Sequence, residues 1–265
     1  MSLTILVTND DGIHAPGLRV LARELSTIEG ARVYVVAPDD EWSARGHAIT
    51  IKEPIYVRKK EGLFEVPAWE ISGSPADCVK LGLNELVPEA VDVVVAGINN
   101  GPNLATDVLY SGTVAAAIEA VLARIPSLAV SLGVSSDCEE DYRPAGRVAR
   151  VLVEILHGQE QFPLHLLNVN VPLHPRGIEF TELGPCPYDD SVEISKDPEG
   201  NSCYWLRVCL AGEGASDGTD LAAVARGKIS ITPLEFFDIT DRTLREEMAS
   251  MAGHLESLLS DPDLR

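Results

Sequence analysis

Apolar and polar positions follow two rhythms along this chain. Leu3-Thr4-Ile5-Leu6-Val7 is an apolar run that stops at Thr8-Asn9-Asp10-Asp11-Gly12, and such a run reads as a buried strand. Pro16 then sits where a helix can open, and Leu18, Leu21, Ala22, Leu25 and Ile28 recur at helical spacing. Val33 to Val36 form a second apolar run, closed by Ala37-Pro38. The pattern predicts a β-α-β unit at the start of the chain.

The stretch from about 41 to 72 is different. Its β-rich pieces, Ile49 to Val57 and Phe64 to Ile71, surround a turn at Arg58 to Gly62 and predict a hairpin excursion. Helix and strand patterns then alternate again. Pro75 opens a helix through Leu86, and Val91 to Ala96 is a strand ending at Gly97-Ile98-Asn99. Val114, Ala117, Ile118, Val121, Leu122 and Ile125 trace one helical face. Leu128 to Val130 is a strand, Val148 to Leu156 a helix, and Leu166 to Val171 a strand closed by Pro172.

Such alternation predicts an α/β fold with a mostly parallel sheet covered on both faces, whose ligands bind beyond the carboxyl ends of the strands. Residues 1–171 are expected to form this catalytic core. Residues 172–265 form an appendage of short strands, clearest at Cys203 to Leu210 and Ile229 to Pro233, with a final helix carrying Leu244, Met248, Met251, Leu255 and Leu258. That final apolar stripe is expected to serve self-association.

The predicted strand ends bring oxygen-bearing side chains to one face. Asn9, Asp10 and Asp11 follow the first strand. Asp39, Asp40, Ser43 and His47 follow the second, and Asn99, Asn100 and Asn103 follow the Val91 to Ala96 strand. Oxygen donors suit a hard cation such as Mg²⁺ or Mn²⁺. Two carboxylates ~4 Å apart repel by about 4 kcal/mol at an effective dielectric near 20, so one protonates unless a cation lies between them. The plainer reading is that one Asp caps the next helix and the other is solvated.

Tyr110-Ser111-Gly112-Thr113 precedes a long apolar helix, and Ser111 is a natural N-cap. A helix amino terminus beside an oxygen-rich loop is a candidate phosphate cradle. Ser72-Gly73-Ser74-Pro75, by contrast, reads as an ordinary cap. His47 lies in a candidate active loop and is weighed as a proton carrier. The other histidines show no metal-ligand spacing.

Charge narrows the partners. The 265 residues hold 21 basic and 41 acidic side chains, a net charge of −20, which disfavours long nucleic acid and anionic membranes while leaving small anions admissible. The five cysteines are scattered, with no C-x-x-C pair, as expected of buried thiols in a reducing compartment. With no basic amino-terminal stretch and no apolar run of the ~18 residues needed for a membrane span, a cytoplasmic location is expected.

Together the loops resemble one family, the survival protein SurE family of 5′/3′-nucleotidases. The matching pieces run in order: Thr8-Asn9-Asp10-Asp11-Gly12, Ala37-Pro38-Asp39, Gly46-His47, Ser74 to Val79, Gly97-Ile98-Asn99 with Gly101-Pro102-Asn103, Ser111 to Ala115, Asn168 to Pro172, Gly218-Thr219-Asp220 and Ser230 to Pro233. The resemblance implies a Rossmann-like core, a C-terminal part that builds dimers or tetramers, and one divalent cation per subunit on Asp10, Asp11, Ser43 and Asn99. It also implies hydrolysis of nucleoside 5′- and 3′-monophosphates, with short polyphosphate as a second substrate. Trp42 stands where the family often has arginine. Arg45 can replace that charge, or Trp42 can stack on a base.

The chemistry expected on this basis is in-line attack of water on phosphorus, with the cation as Lewis acid. Asn9, Asn103, Ser111, Gly112 and Thr113 then handle phosphate oxygens. No residue stands out as general acid, and no D-x-D pattern supports Asp10 as a covalent nucleophile. Two rivals fit poorly. A receiver-type signalling domain needs an aspartate where Asn99 stands, and a dinucleotide-binding turn needs G-x-G-x-x-G where Asn9-Asp10-Asp11-Gly12 stands. A non-catalytic metal or nucleotide sensor is the remaining alternative.

Overall fold

A computed structural model describes residues 3–157, 165–185, 188–210 and 216–235. Packing separates Met1–Leu234, a compact unit, from Glu235–Arg265. The expected final helix lies outside the described residues.

The first strand, β1 (Leu3–Thr8), is buried at every position, as an apolar run between two helical layers must be. Next come α1 (Pro16–Leu25), β2 (Ala31–Pro38), β3 (Val57–Lys59), β4 (Ala68–Ile71) and α2 (Pro75–Leu81). The core continues through β5 (Val93–Asn99), α3 (Gly112–Leu122), β6 (Ser127–Leu132), α4 (Arg143–His157) and β7 (Leu166–Val171). Beyond Pro172 lie β8 (Ile178–Phe180), β9 (Tyr188–Lys196), β10 (Ser202–Leu210), α5 (Asp220–Ala225) and β11 (Ile229–Leu234).

Nine strands form one sheet in the order β3-β4-β2-β1-β5-β6-β7-β11-β8. From β4 to β7 all neighbours are parallel, whereas β3 and β11 pair antiparallel to β4 and β7. β9 and β10 form a separate antiparallel ribbon. The expected α/β architecture is therefore present. α1 and α4 pack together on one face, against Ile5 and Val7, and α2 packs with α3 on the other, where Gly82 just after α2 abuts Leu6.

The hairpin excursion is shorter than the β-rich sequence suggested. Ile49 to Tyr56 is not strand, because its backbone is spent on loop contacts: the Thr50 amide donates to Asp77 and the Tyr56 amide to Ser72. Only Val57–Lys59 pairs with β4, and β4 itself belongs to the main sheet. The helix expected from Pro75 through Leu86 is α2 followed by a π-helical turn, Gly82–Leu86. Ser74 caps α2 in a reciprocal box with Asp77, the ordinary role expected of that stretch.

The strand order fixes where a site can lie. From β1 the chain winds one way through β2 to β4, then returns to β5 on the other side of β1 and winds the opposite way. The switch between β1 and β5 opens a crevice beyond their carboxyl ends. Asn9-Asp10-Asp11 and Asn99-Asn100 stand there.

Candidate active site

Asp10 is buried at the floor of this crevice, 3% exposed. Its Oδ1 accepts a short hydrogen bond from the Thr113 hydroxyl. A Cβ on Gly112 would lie 2.7 Å from the Cβ of Asp10, so only glycine lets α3 approach this closely. Burial raises the Asp10 pKa, against the lowering effect of the Thr113 hydroxyl and the Thr113 and Gly112 amides.

Asp11 is half-buried and accepts from the Asn100 amide at 3.1 Å. Burial first, then the charges of Asp10 and Glu41, push its pKa up to about 7. Asp11 lines a depression of about 270 Å³ with Glu41, Ser43, Asn100 and Tyr142. Tyr142 is buried, donates to the Ser136 carbonyl at 2.9 Å, and has its phenol pushed up to about 12 by burial and then by nearby acids, Asp11 first. A larger cavity of about 460 Å³ lies between α1 and residues 62–66, near Arg19 and Arg23. Its lining includes Ser26 and Glu65 but none of the expected site residues.

The loop after β2 reaches the same floor, since the Trp42 amide donates to the Asp10 carbonyl at 2.8 Å. Ser43 follows on the exposed side, and the Arg45 guanidinium lies 4.6 Å from the Trp42 ring centre, a cation–π contact. The loop turns back at Gly46 (φ 60°), whose amide donates to the Tyr110 carbonyl at 3.0 Å.

Other expected site residues are engaged inside the protein. Asn9 is fully buried, its Nδ2 donating to the Gly12 carbonyl and its Oδ1 without a partner. The Asn99 side chain donates to the Gly101 carbonyl. Asn103 sits in a buried knot: its amide donates to Asn170, its Nδ2 to Ser131, and its carbonyl accepts from Asn168 and Asn170. Ser111 caps α3 by accepting from the Val114 amide, while its own amide donates to the Asp107 carbonyl. The Gly112 and Thr113 amides lower the Asp10 pKa, and of the three amides at the start of α3 the Ser111 amide has its partner in Asp107.

His47 meets Glu119 on α3, Nε2 to Oε2 at 2.9 Å, and Lys80 makes a short bond to the other Glu119 oxygen. Burial raises the Glu119 pKa, but the bonds from His47 and Lys80 outweigh it and the net shift is downward. Sequence reasoning missed Glu119, Lys80, Tyr142 and Ser131. Only Glu119 carried a signal, as the single acid in an otherwise apolar helix, where a buried charge demands partners.

The four expected ligands all offer oxygen: two carboxylates, the Ser43 hydroxyl and the Asn99 amide. Among the described residues no three His, Cys, Asp or Glu side chains gather to hold a metal. Paired acids with raised pKa values and the orphaned Asn9 oxygen beside them fit a hard divalent cation that would hold both carboxylates ionised.

A doubly wound α/β sheet with paired carboxylates at its switch point defines a class of proteins that handle a small polar ligand beyond their parallel strands. Residues 5–190 match the model of the survival protein SurE family, and the chain belongs to that family. The 5′-nucleotidase SurE of Heliobacterium modesticaldum is 44% identical over 266 residues, covering 98% of this chain and 95% of that protein. That of Synechococcus sp. is 47% identical over 239 residues, covering 88% and 92%. The crystal structure of the SurE protein from Aquifex aeolicus matches with a TM-score of 0.80 at 35% identity, covering 94% of this chain and 99% of that one.

Proposed function

We propose that this chain is a divalent-metal-dependent nucleotidase that hydrolyses nucleoside 5′- and 3′-monophosphates to nucleoside and phosphate, and cleaves short polyphosphate more slowly. The observation that carries this reading is the Asp10–Asp11 pair: two neighbouring acids, both with raised pKa, at the switch point of the sheet. The names of the relatives, 5′-nucleotidase SurE, support the reaction class.

Asp10, Asp11, Ser43 and Asn99 would hold one cation, Mg²⁺ or Mn²⁺. When bound, it supplies Lewis-acid chemistry and a counter-charge for the phosphate. The chain's own groups do the rest. The Thr113 hydroxyl holds the Asp10 carboxylate in place, and the Asn100 amide holds Asp11. Asn9, Asn103 and the Ser111-Gly112-Thr113 turn would frame the phosphate side of the crevice from within, their side chains being bonded inside the protein, while the α3 dipole favours negative charge there. Trp42 and Arg45 stand beside Ser43, where a nucleobase can stack.

Among the described residues no helix is long and apolar enough to cross a membrane. Cys78, Cys138 and Cys203 are free thiols, which fits a reducing cytoplasm, although only Cys78 is buried as expected, Cys203 being half-buried and Cys138 exposed. The exposed Tyr204, Trp205 and Leu206 of β10 support a homodimer or homotetramer.

The test is phosphate release from purine and pyrimidine 5′- and 3′-monophosphates, a sugar phosphate, a diester and short polyphosphate, with Mg²⁺, with Mn²⁺ and with chelator. Monophosphates should be cleaved best, polyphosphate more slowly and diesters hardly at all, with chelator abolishing each activity and added metal restoring it. Chelator-resistant hydrolysis would overturn the metal assignment. Metal binding with no hydrolysis of any monophosphate would favour the sensor reading.

A further inference from the structure

We propose that His47 is a positioning residue: with Glu119 and Lys80 it locks the loop bearing Ser43 onto α3, the same helix that holds Asp10. The inference rests on the reading of Asp10, Asp11 and Ser43 as one metal site.

The loop from Asp39 to Thr50 has no regular secondary structure, and its shape depends on bonds to other elements. Beyond the Asp39 amide, which donates to the Ile71 carbonyl at 2.9 Å, four of these involve its backbone. The Trp42 amide donates to the Asp10 carbonyl, the Gly46 amide to the Tyr110 carbonyl, Ser74 Oγ donates to the Ala48 carbonyl at 2.7 Å, and the Thr50 amide donates to Asp77 at 3.1 Å. Ser43 lies between the Trp42 and Gly46 anchors, beside Ala44 at a positive φ of 58°. The Gly46 bond is a single neutral contact between two loops. His47, next in sequence, ties this part of the loop to a helix through its ring, Nε2 to Glu119 Oε2 at 2.9 Å.

Glu119 is built for that task. Its side chain is 9% exposed, on a helix whose other residues from Gly112 to Val121 are buried and uncharged. A buried carboxylate is costly unless paired, and its two oxygens are divided between His47 of the loop and Lys80 of α2. Thr113 and Glu119 are six residues apart on α3, roughly 9 Å at 1.5 Å per residue. One rigid helix thus grips Asp10 at its start and the Ser43 loop about two turns later. A ring engaged that far along the helix fits a spacer between two metal-binding loops, not a proton donor at the leaving group.

The test uses the full-length protein with His47→Ala, His47→Gln and Glu119→Gln, each checked by thermal unfolding. Lys80 still pairs Glu119 when His47 is lost, so His47→Ala should fold. Its metal concentration for half-maximal activity should rise roughly 10- to 100-fold, the range for residues that orient metal ligands, with kcat at saturating metal little changed. Trypsin should cut metal-free His47→Ala after Arg45 faster than wild type, and His47→Gln, which keeps a donor, should recover both properties. A large fall in kcat at saturating metal, with half-saturation unchanged and one limb of the pH profile lost, would make His47 a proton carrier and overturn the proposal. Unchanged half-saturation and unchanged cleavage would overturn it equally. If wild type shows no metal-dependent hydrolysis, the nucleotidase reading fails, and the protease measurement still decides whether the lock exists.

Discussion

The Thr113 hydroxyl donates to Oδ1 of Asp10 across 103 positions of sequence, joining the start of α3 to the loop after β1. The two hydroxyls at that turn therefore have separate work. Thr113 faces the acid pair, whereas Ser111 caps the helix through the Val114 amide.

Thr113→Val should weaken Mn²⁺ binding, because Asp10 loses the bond that orients it, and Thr113→Ser should restore most of it. Ser111→Ala should instead cost about 1 kcal/mol of stability, the usual value of an N-cap, with metal affinity near wild type. Calorimetry and thermal unfolding separate the two. Undiminished Mn²⁺ affinity in Thr113→Val would contradict this division.

Asp10→Asn and Asp11→Asn should each weaken metal binding and lower turnover at least ~100-fold, since transition-state charge loses its counter-ion. Both should fold, because either change relieves the repulsion that helps raise the Asp11 pKa. Near-normal activity of both at limiting metal would sink the assignment.

Asp11 also predicts a pH dependence. Its pKa is raised from 3.8 to about 7, so between those values the folded, metal-free chain keeps a proton that the unfolded chain has released. Stability from this group is therefore greatest below the window and falls as pH rises through it. The thermal midpoint of metal-free wild type should drop more between about pH 5 and pH 8 than that of Asp11→Asn. Binding of Mg²⁺ near pH 6 should release protons. Parallel pH curves for the two proteins would refute the shift.

Trp42→Ala should narrow the preference for nucleoside monophosphates over a sugar phosphate, through a higher KM for the nucleotide alone, if the ring with Arg45 stacked on it receives the base. Equal losses on both substrates would mean that Trp42 only shapes the loop.

Much of this protein was legible along the chain. The apolar runs of β1, β2 and β5 and the stripe of α1 are local periodicities, set by which neighbours must face the core. The acids and asparagines at the strand ends followed, because an alternating α/β pattern already says where strands end. The cap at Ser72 to Pro75 was equally visible, and the structure adds Asp77, three residues beyond Ser74, as its reciprocal partner. Only tertiary structure decided what those side chains do. Whether Thr113 faces phosphate or Asp10, whether His47 is free or bound to Glu119, and whether Asn103 is open or held by Asn170 depend on contacts between residues 67 to 103 positions apart. Such contacts follow from how α2 and α3 pack against the sheet. A hydroxyl or an imidazole carries no mark in sequence of the partner that packing will bring to it.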